Sequence, residues 1–253
     1  MAGPPLDLPA RSAKPREQGI THLMDRGLSV RDVDDLMEVA GDAVDIVKLG
    51  FGTAAATGNL QDKLERYRLH DVPVVLGGTL TELAIVQGRV DAYVGWIREL
   101  GLGLVEVSDG TIAVDERDKR ALIARLAGEG FTVLSEVGSK DATEIMAPYR
   151  WVEQIEAELA AGAWKVICEG RETGTAGIAR PDGELRQGLI DEIAHAVDPG
   201  QVIFEAPQKD QQAVLIKRFG PDVNLGNIPP QDVLALETMR LGLRSDTMDG
   251  PRR

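Results

Sequence analysis

Short apolar runs rich in β-branched residues recur along the chain, and a stretch with helical periodicity follows each of them. Eight such pairs fill the sequence, and most of the runs close on a polar or charged residue. A closed (β/α)8 barrel gathers the carboxyl ends of its strands on one face, where the active sites of that fold lie. The pattern therefore predicts a single (β/α)8 barrel with its chemistry at the run ends. The runs are ITHLMD, VDIVKLG, VPVVLGG, LVEVSDG, FTVLSEVG, AWKVICEG, QVIFEAP and DVNLG.

Polar residues mark where two of the helices begin. Ser29 precedes one helical stretch with Asp32 three residues on, and Thr79 is followed in the same way by Glu82. Such pairs can satisfy the free backbone N–H groups at a helix start, so both predict capped helices. The helical stretches cover about residues 30–40, 59–69, 79–100, 115–129, 149–161, 184–197, 208–219 and 230–241.

Composition limits the domain count and the partners. The 253 residues, 43% of them hydrophobic, match the length of about 250 typical of one barrel. We expect a flexible N-terminal segment at 1–18, the barrel at 19–248 and a C-terminal tail at 249–253. A net charge of -13 without a basic patch argues against nucleic acid or an anionic membrane surface as partner.

The cysteine count and the apolar runs bear on the cellular compartment. Cys168 is the only cysteine and lies within an apolar run, so it predicts a buried reduced thiol and excludes a disulfide within the chain. No segment resembles a signal peptide, and no run approaches the roughly 18 apolar residues of a membrane span. A cytoplasmic location is expected.

Period-two alternation separates the residues that face into the barrel from those that face the helices. Val105 and Val107 are apolar and therefore face outward, which turns their polar neighbours inward. Four carboxylates at one end of a barrel would repel one another unless a cation compensates. The inward polar residues are Lys48, Glu106, Ser108, Glu136, Glu169, Glu205 and Asn224.

Three glutamates at matching run ends predict a metal site. An oxygen-rich cluster suits a hard ion such as Mg²⁺, and the three histidines of the chain share no metal-binding spacing. The alternative is a structural network in which Lys48, Lys140 and Arg171 neutralise these carboxylates. The three glutamates are Glu136, Glu169 and Glu205.

Two long loops and two glycine-containing turns are candidates for substrate binding. Lys140 lies on the loop at 138–148, and Arg171, whose guanidinium could grip a phosphate, lies on the loop at 170–183. The turn with Gly226 and Asn227 follows the last run, a region where barrels often bind phosphate. Gly78 and Thr79 offer a second anion site, and the inward-facing Ser108 and Asn224 are predicted to line the same pocket.

Eight segments together resemble one known family, the phosphosulfolactate synthases, in the same order and over about residues 14–248. The resemblance implies a barrel enzyme that adds sulfite to phosphoenolpyruvate in a Mg²⁺-dependent reaction, on routes to coenzyme M and sulfolactate. The segments are KPREQGITHLMDRGL, VDIVKLGFGTA, GGTLTELA, VEVSDGTI, SEVGSKD, VICEGRETGTAGI, VIFEAPQKDQQ and FGPDVNLGNIPPQDVLALETMRLGLRSDT.

The resemblance also implies roles for single residues. The family's proposed general acid lies in a motif like TEVGKK, and SEVGSK here aligns Lys140 with it and replaces the preceding lysine by Ser139. Lys48 is the second catalytic candidate. A homo-oligomer is expected, with a trimer as one option. Two alternatives stay open: Schiff-base aldol chemistry at Lys48 or Lys140, and a non-catalytic role like that of the plant heat-stress-associated proteins in the same family.

Overall fold

The computed structural model describes residues 5–140 and 145–248, and within them eight parallel strands form one sheet. The strand order is β3-β2-β1-β8-β7-β6-β5-β4, so strands adjacent in sequence pair with each other except β3 and β4, and β1 pairs with β8. This order confirms the predicted (β/α)8 barrel. The strands are β1 (Thr21–Asp25), β2 (Ile46–Leu49), β3 (Val74–Leu76), β4 (Leu104–Val107), β5 (Thr132–Val137), β6 (Lys165–Cys168), β7 (Val202–Glu205) and β8 (Leu225–Ile228).

Helices surround the sheet, and the first of them begins as predicted. The Ser29 hydroxyl accepts from the Asp32 amide, and the Asp32 carboxylate accepts from the Ser29 amide. None of the described helices is long and apolar enough to cross a membrane. The helices are α1 (Val30–Ala40), α2 (Thr53–Ala56), α3 (Leu60–Leu69), α4 (Thr79–Val86), α5 (Val90–Glu99), α6 (Glu116–Gly128), α7 (Pro148–Ala160), α8 (Gln187–Ala196), α9 (Lys209–Phe219) and α10 (Val233–Arg240).

The single helix predicted at 79–100 is wrong, because the chain turns between α4 and α5. Gly88 adopts a φ of +63° there, a left-handed conformation that ends a helix and that glycine adopts without strain. The continuous apolar periodicity of this stretch gave no sign of the break.

The seam between β3 and β4 is closed by side chains, since no ladder joins these two strands in the part of the chain that the structure describes. The Gly78 amide donates to Glu106 Oε1 at 2.6 Å, and the Thr81 hydroxyl donates to the Glu106 carbonyl at 2.6 Å. The first turn of α4 therefore replaces the missing ladder.

The barrel interior has an apolar floor beneath a polar upper layer. The apolar residues of the floor come from six different strands or their starts and are all buried. One step further along the strands, the inward positions carry the charged residues predicted by alternation, including Lys48, Glu136 and Glu205. The apolar floor therefore keeps water away from these charged residues on the side facing the barrel interior. The floor consists of Ile20, Ile46, Val75, Leu134, Ile167 and Ile203.

Residues 11–17, part of the segment predicted to be flexible, contact the amino-terminal end of the barrel. Arg11 Nε donates to Glu237 Oε1 at 2.9 Å, and Arg16 donates to Asp45 at 2.9 Å. Lys165 Nζ donates to the carbonyl of Glu17 at 2.8 Å. The predicted looseness does not extend to these residues. Residues 1–4 and the predicted tail at 249–253 lie outside the described residues, and the domain limits stay a prediction.

Candidate active site

Buried charges converge where the strands end, at the carboxyl-terminal mouth of the barrel. Glutamates from α4 and from four strand ends meet two lysines there, one from β2 and one from the loop after β5. We call this group the mouth cluster. It consists of Lys48, Lys140, Glu82, Glu106, Glu136, Glu169 and Glu205.

Lys48 lies at the centre of the barrel and joins three strands. Its Nζ lies 3.1 Å from Glu106 Oε2, 3.2 Å from Glu205 Oε1 and 3.6 Å from Glu136 Oε2. Burial lowers the pKa of Lys48, but the three carboxylates outweigh it and hold the pKa well above its ordinary value. Lys48 is therefore a fixed ammonium and not a free amine.

Lys140 lies nearer the opening, with a quarter of its side chain (24%) exposed. Its Nζ is 3.0 Å from Glu136 Oε1, 3.3 Å from Glu82 Oε1 and 3.7 Å from Glu169 Oε2. Burial lowers the pKa of Lys140, but these carboxylates outweigh it and raise the pKa above its ordinary value. Lys140 is therefore an ammonium, because the nearest charges are anions.

Glu136 and Glu169 form a carboxyl pair that shares a hydrogen bond. Burial, Glu136 and Glu205 together raise the pKa of Glu169 well above its ordinary value. Burial acts on Glu136 in the same direction, but Lys140 and Lys48 outweigh it and lower the pKa of Glu136. Of the two carboxyl groups, Glu169 therefore holds a proton more readily than Glu136 does.

Glu106 is a further buried carboxyl of the mouth cluster. Burial raises its pKa to about 6, although Lys48 opposes the shift. Its Oε1 accepts from the Gly78 amide, and its Oε2 forms the 3.1 Å ion pair with Lys48 Nζ. Glu106 thus titrates close to neutrality, which is unusual for a carboxyl group and common at functional sites.

The donor chemistry of the Glu136–Glu169 pair fits a hard cation. The five glutamates of the cluster outnumber its two lysines, and the buried carboxyl groups of Glu136 and Glu169 lie within hydrogen-bonding reach of each other. A cation can take the place of the proton that the pair shares. Glu205 fits less well, since it already accepts from Gly170 N at 2.9 Å and pairs with Lys48. In the described part of the chain, no three or more His, Cys, Asp or Glu side chains are already arranged to hold a metal ion.

Arg171 lies at the rim of the mouth, close to Lys140. Its Nη1 is 3.5 Å from the Lys140 carbonyl oxygen, and about half of its side chain (46%) is exposed. Its backbone has a φ of +65°, and its amide donates to Glu169 Oε1 at 2.5 Å. The strained turn therefore fixes the base of Arg171, while its guanidinium faces the opening.

Gly226 and Asn227 line the mouth from β8. A Cβ on Gly226 would lie 3.3 Å from His22 Nδ1 and 3.7 Å from Glu205 Cγ, so Gly226 faces inward. Asn227 adopts a φ of +56° where the register with β1 shifts, and its buried Oδ1 has no hydrogen-bond partner among the described residues. This bulge leaves a buried acceptor in β8.

Asn224 does not belong to the site. It precedes β8 and lies at the amino-terminal end of the barrel, where its side chain accepts from the Ile20 amide and donates to the Val202 carbonyl, at 3.0 and 2.9 Å. The prediction that it binds substrate is wrong, because the run DVNLG marks the start of the last strand and not its end.

Ser108, Gly78 and Thr79 lie near the cluster but are not arranged as an anion site. Ser108 is fully buried and donates to Glu82 Oε1 at 2.6 Å. The Gly78 amide is already used by Glu106, and a Cβ on Gly78 would lie 2.2 Å from Ser108 Oγ. Thr79 is exposed at the start of α4. The second anion site predicted at Gly78 and Thr79 is therefore not formed.

Glu82 and Glu106 are the site residues that the sequence interpretation omitted from its binding and metal sets. The alternation of polar and apolar residues already predicted that Glu106 faces into the barrel, so the sequence did indicate its position. Glu82 had been assigned to a helix cap with Thr79, but α4 has no side-chain cap, and Glu82 is buried facing Ser108 and Lys140. Its burial follows from the tertiary position of α4 over the seam.

Replacing Glu169 by glutamine should stabilise the metal-free protein at alkaline pH. The folded pKa of Glu169 is raised, so folding favours its protonated form, and its contribution to stability is lost as pH rises above the ordinary glutamate range. Glu169→Gln removes that loss. Thermal unfolding between pH 6 and 9 in chelator should show a higher Tm for the variant at pH 9, where 1 kcal/mol corresponds to about 2–4 °C. The exposed Glu192→Gln is the control, and an equal pH slope in all three proteins would contradict the charge assignment.

Comparisons with known proteins identify the family of the chain. The family described as (2R)-phospho-3-sulfolactate synthase (ComA) matches residues 9–246. A phosphosulfolactate synthase of Bacillus subtilis (strain 168) is 42% identical over 245 residues, which cover 96% of this chain and 97% of the relative. One from Methanothermobacter thermautotrophicus is also 42% identical and covers 95% of each chain.

Solved structures of lower identity share the fold. The YdjI aldolase of Escherichia coli K12 is 15% identical with a TM-score of 0.57, and the match covers 93% of this chain and 83% of the aldolase. A 3-hexulose-6-phosphate synthase is 19% identical with a TM-score of 0.55, over 87% of this chain and 98% of its own. These likenesses support the barrel architecture.

Proposed function

Because the chain belongs to the phosphosulfolactate synthase family, we propose that it adds sulfite to phosphoenolpyruvate to give (2R)-phospho-3-sulfolactate. The observation that carries the proposal within the site is the position of Lys140, a protonated lysine beside a buried carboxyl pair at the mouth. The reaction needs a proton donor next to a centre of negative charge, and this arrangement offers both.

The chemistry is a conjugate addition. The sulfur lone pair of sulfite attacks the methylene carbon of phosphoenolpyruvate and forms a C–S bond. The electron pair of the C=C bond moves onto the substrate carboxylate, which becomes an enediolate. Protonation of the neighbouring carbon then restores the carboxylate and leaves the phosphate ester intact.

Lys140 is the proposed general acid. The pKa of its ammonium is raised, so the proton is present at neutral pH, and partial exposure lets the group reach a substrate at the opening. As the enediolate forms next to it, Lys140 gains an anionic partner. Glu136 and Glu82 hold its Nζ at the mouth of the barrel.

Lys48 is proposed to act by orienting the carboxylates. It contacts Glu106, Glu136 and Glu205 at once, so it sets their spacing below the reacting groups. Neither lysine suits Schiff-base chemistry, because that requires a neutral amine and both lysines are held protonated. Borohydride added with a carbonyl substrate should leave no adduct on either.

Glu136 and Glu169 would hold one Mg²⁺, with Glu205 behind them. When bound, the ion would stabilise the charge that develops on the substrate carboxylate. The residues themselves contribute the two carboxyl groups and a proton that Glu169 releases. The low dielectric of the buried pair strengthens both effects.

Arg171, Gly226 and Asn227 are proposed to bind the substrate phosphate. Arg171 supplies a forked donor after β6, and the bulge at Asn227 lies in β8, two strands further along the barrel wall. The state of assembly and the cellular location remain proposals as well: a homo-oligomer in the cytoplasm.

Arg171→Ala should raise the KM for phosphoenolpyruvate by about tenfold or more, because a charge-assisted hydrogen bond contributes roughly 1.5–3 kcal/mol. The KM for sulfite should change little. Steady-state kinetics with each substrate varied in turn gives both values. Arg180→Ala, on the same loop and 60% exposed, is the matched control. An unchanged KM for phosphoenolpyruvate would place the phosphate elsewhere.

The proposed function is tested by incubating the protein with phosphoenolpyruvate and sulfite, with and without Mg²⁺. The expected result is a new C–S bond seen by ¹³C NMR of labelled phosphoenolpyruvate, with no release of inorganic phosphate. Unchanged phosphoenolpyruvate under all conditions would contradict the proposal. It would favour the non-catalytic, stress-associated alternative.

A further inference from the structure

A further buried lysine, with acidic partners of its own, lies between the barrel wall and the helices that surround it. Lys119 of α6 is only 3% exposed, and its Nζ donates to the Glu136 carbonyl at 2.6 Å and to Asp109 Oδ1 at 2.8 Å. The same atom lies 2.8 Å from Glu158 Oε1 on α7. An ammonium has three hydrogens, so these contacts use all of its donors.

Two of these contacts lead to Lys140. Glu136 is the carboxylate nearest to Lys140 Nζ, at 3.0 Å, and Lys119 holds its main chain at the end of β5. Asp109 begins the loop after β4, whose next residue, Gly110, accepts from the Lys140 amide at 3.1 Å. The position of a Cβ on Gly110 would be 3.2 Å from Lys140 Cγ, so the lysine stem packs on this glycine.

We propose that Lys119 is a positioning residue that sets where Lys140 stands relative to Glu136. This inference rests on the proposed function of Lys140. One ammonium joins the strand that carries the carboxylate to the loop that supports the stem of the lysine. Without it, each of the two segments can move independently, and the proton donor loses its fixed distance to the reacting carbon.

Lys63 provides a natural comparison. It is also a buried helical lysine, 2% exposed, and it donates to Asp25 at the end of β1 at 2.8 Å. Tyr67 donates to the same carboxylate at 2.9 Å. Lys63 thus matches Lys119 in burial and in its contact with an aspartate near a strand end, and its described contact does not reach the mouth cluster.

The test compares Lys119→Met, Lys119→Arg and Lys63→Met, assayed well below the Tm of each. Lys119→Met should lower kcat by about tenfold to a hundredfold, the cost of misplacing a catalytic group by about 1 Å, with the KM for phosphoenolpyruvate nearly unchanged. Lys119→Arg should recover part of kcat. Lys63→Met should lower the Tm and leave kcat near that of wild type. Asp109→Asn, a milder change at a quarter-exposed residue (25%), serves if Lys119→Met does not fold.

Hydrogen exchange provides a measurement that does not depend on turnover. Lys119→Met should speed amide exchange in peptides that cover the loop after β4 and the end of β5, and Lys63→Met should not. Wild-type kcat in the Lys119→Met or Asp109→Asn variant, or a rise in KM alone, would overturn the inference. If wild-type protein forms no C–S bond, the proposed function fails, and unchanged exchange at these peptides then overturns the positioning role separately.

Discussion

Lys140→Ala is expected to lower kcat by about 10²–10⁴-fold, the usual loss when a general acid is removed. The protein should stay folded, since Lys140 is partly exposed and lies at the mouth of the barrel, away from the apolar core. It should also still bind phosphoenolpyruvate, because the proposed phosphate donors lie on other loops. Stopped-flow or steady-state turnover gives kcat, and isothermal titration calorimetry checks substrate binding.

Lys48→Ala is the comparison that decides which lysine donates the proton. Lys48 is only 5% exposed and contacts three buried carboxylates, so its loss should destabilise the protein by about 3–5 kcal/mol. Thermal unfolding separates this effect from a catalytic one. A Lys140→Ala variant with nearly wild-type kcat, beside a folded Lys48→Ala variant that has lost it, would reassign the proton to Lys48.

Removal of Mg²⁺ by a chelator is expected to lower the rate about a thousandfold or more. A metal ion that stabilises developing charge contributes several kcal/mol, and each 1.4 kcal/mol is about tenfold in rate. Added Mg²⁺ should restore turnover. Because the pKa of Glu169 is raised, Mg²⁺ binding at the Glu136–Glu169 pair should release protons, and calorimetry in two buffers of different ionisation enthalpy measures that release.

Two variants localise the metal effect. Glu136→Gln should weaken Mg²⁺ binding. Glu237 pairs with Arg11 at the other end of the barrel, so Glu237→Gln should leave Mg²⁺ binding unchanged. Full turnover in chelator would remove the metal from the mechanism. The carboxylates would then be explained by the ion pairs with Lys48 and Lys140 alone.

The fold and the inward-facing charges could be predicted because both follow from a period along one strand. The alternation that placed Lys48, Glu136 and Glu205 inside the barrel is a local property, and parallel strands then bring their ends together. The break between α4 and α5 could not be predicted in this way. Nothing in its apolar periodicity differs from that of one long helix.

Glu82 and Asn224 show where local patterns fail. The polar spacing at the start of α4 suits a helix cap, but the helix lies over the seam, and Glu82 faces Lys140 because of that tertiary position. Asn224 was predicted at a strand end, although the four residues of β8, with a bulge at Asn227, follow it. Mistaking the start of this strand for its end placed Asn224 at the wrong end of the barrel.

The seam between β3 and β4 makes barrel closure and assembly of the site one event. Glu106 joins the two strands through Gly78 and Thr81, and the same side chain is a partner of Lys48. A chain in which this junction has not yet closed has neither a complete wall nor a complete charge cluster. Partially folded molecules are therefore inactive by construction. Because the pKa of Glu106 is raised to about 6, folding favours its protonated form, so acidification through pH 6 should add stability through this group while it ends the ion pair with Lys48.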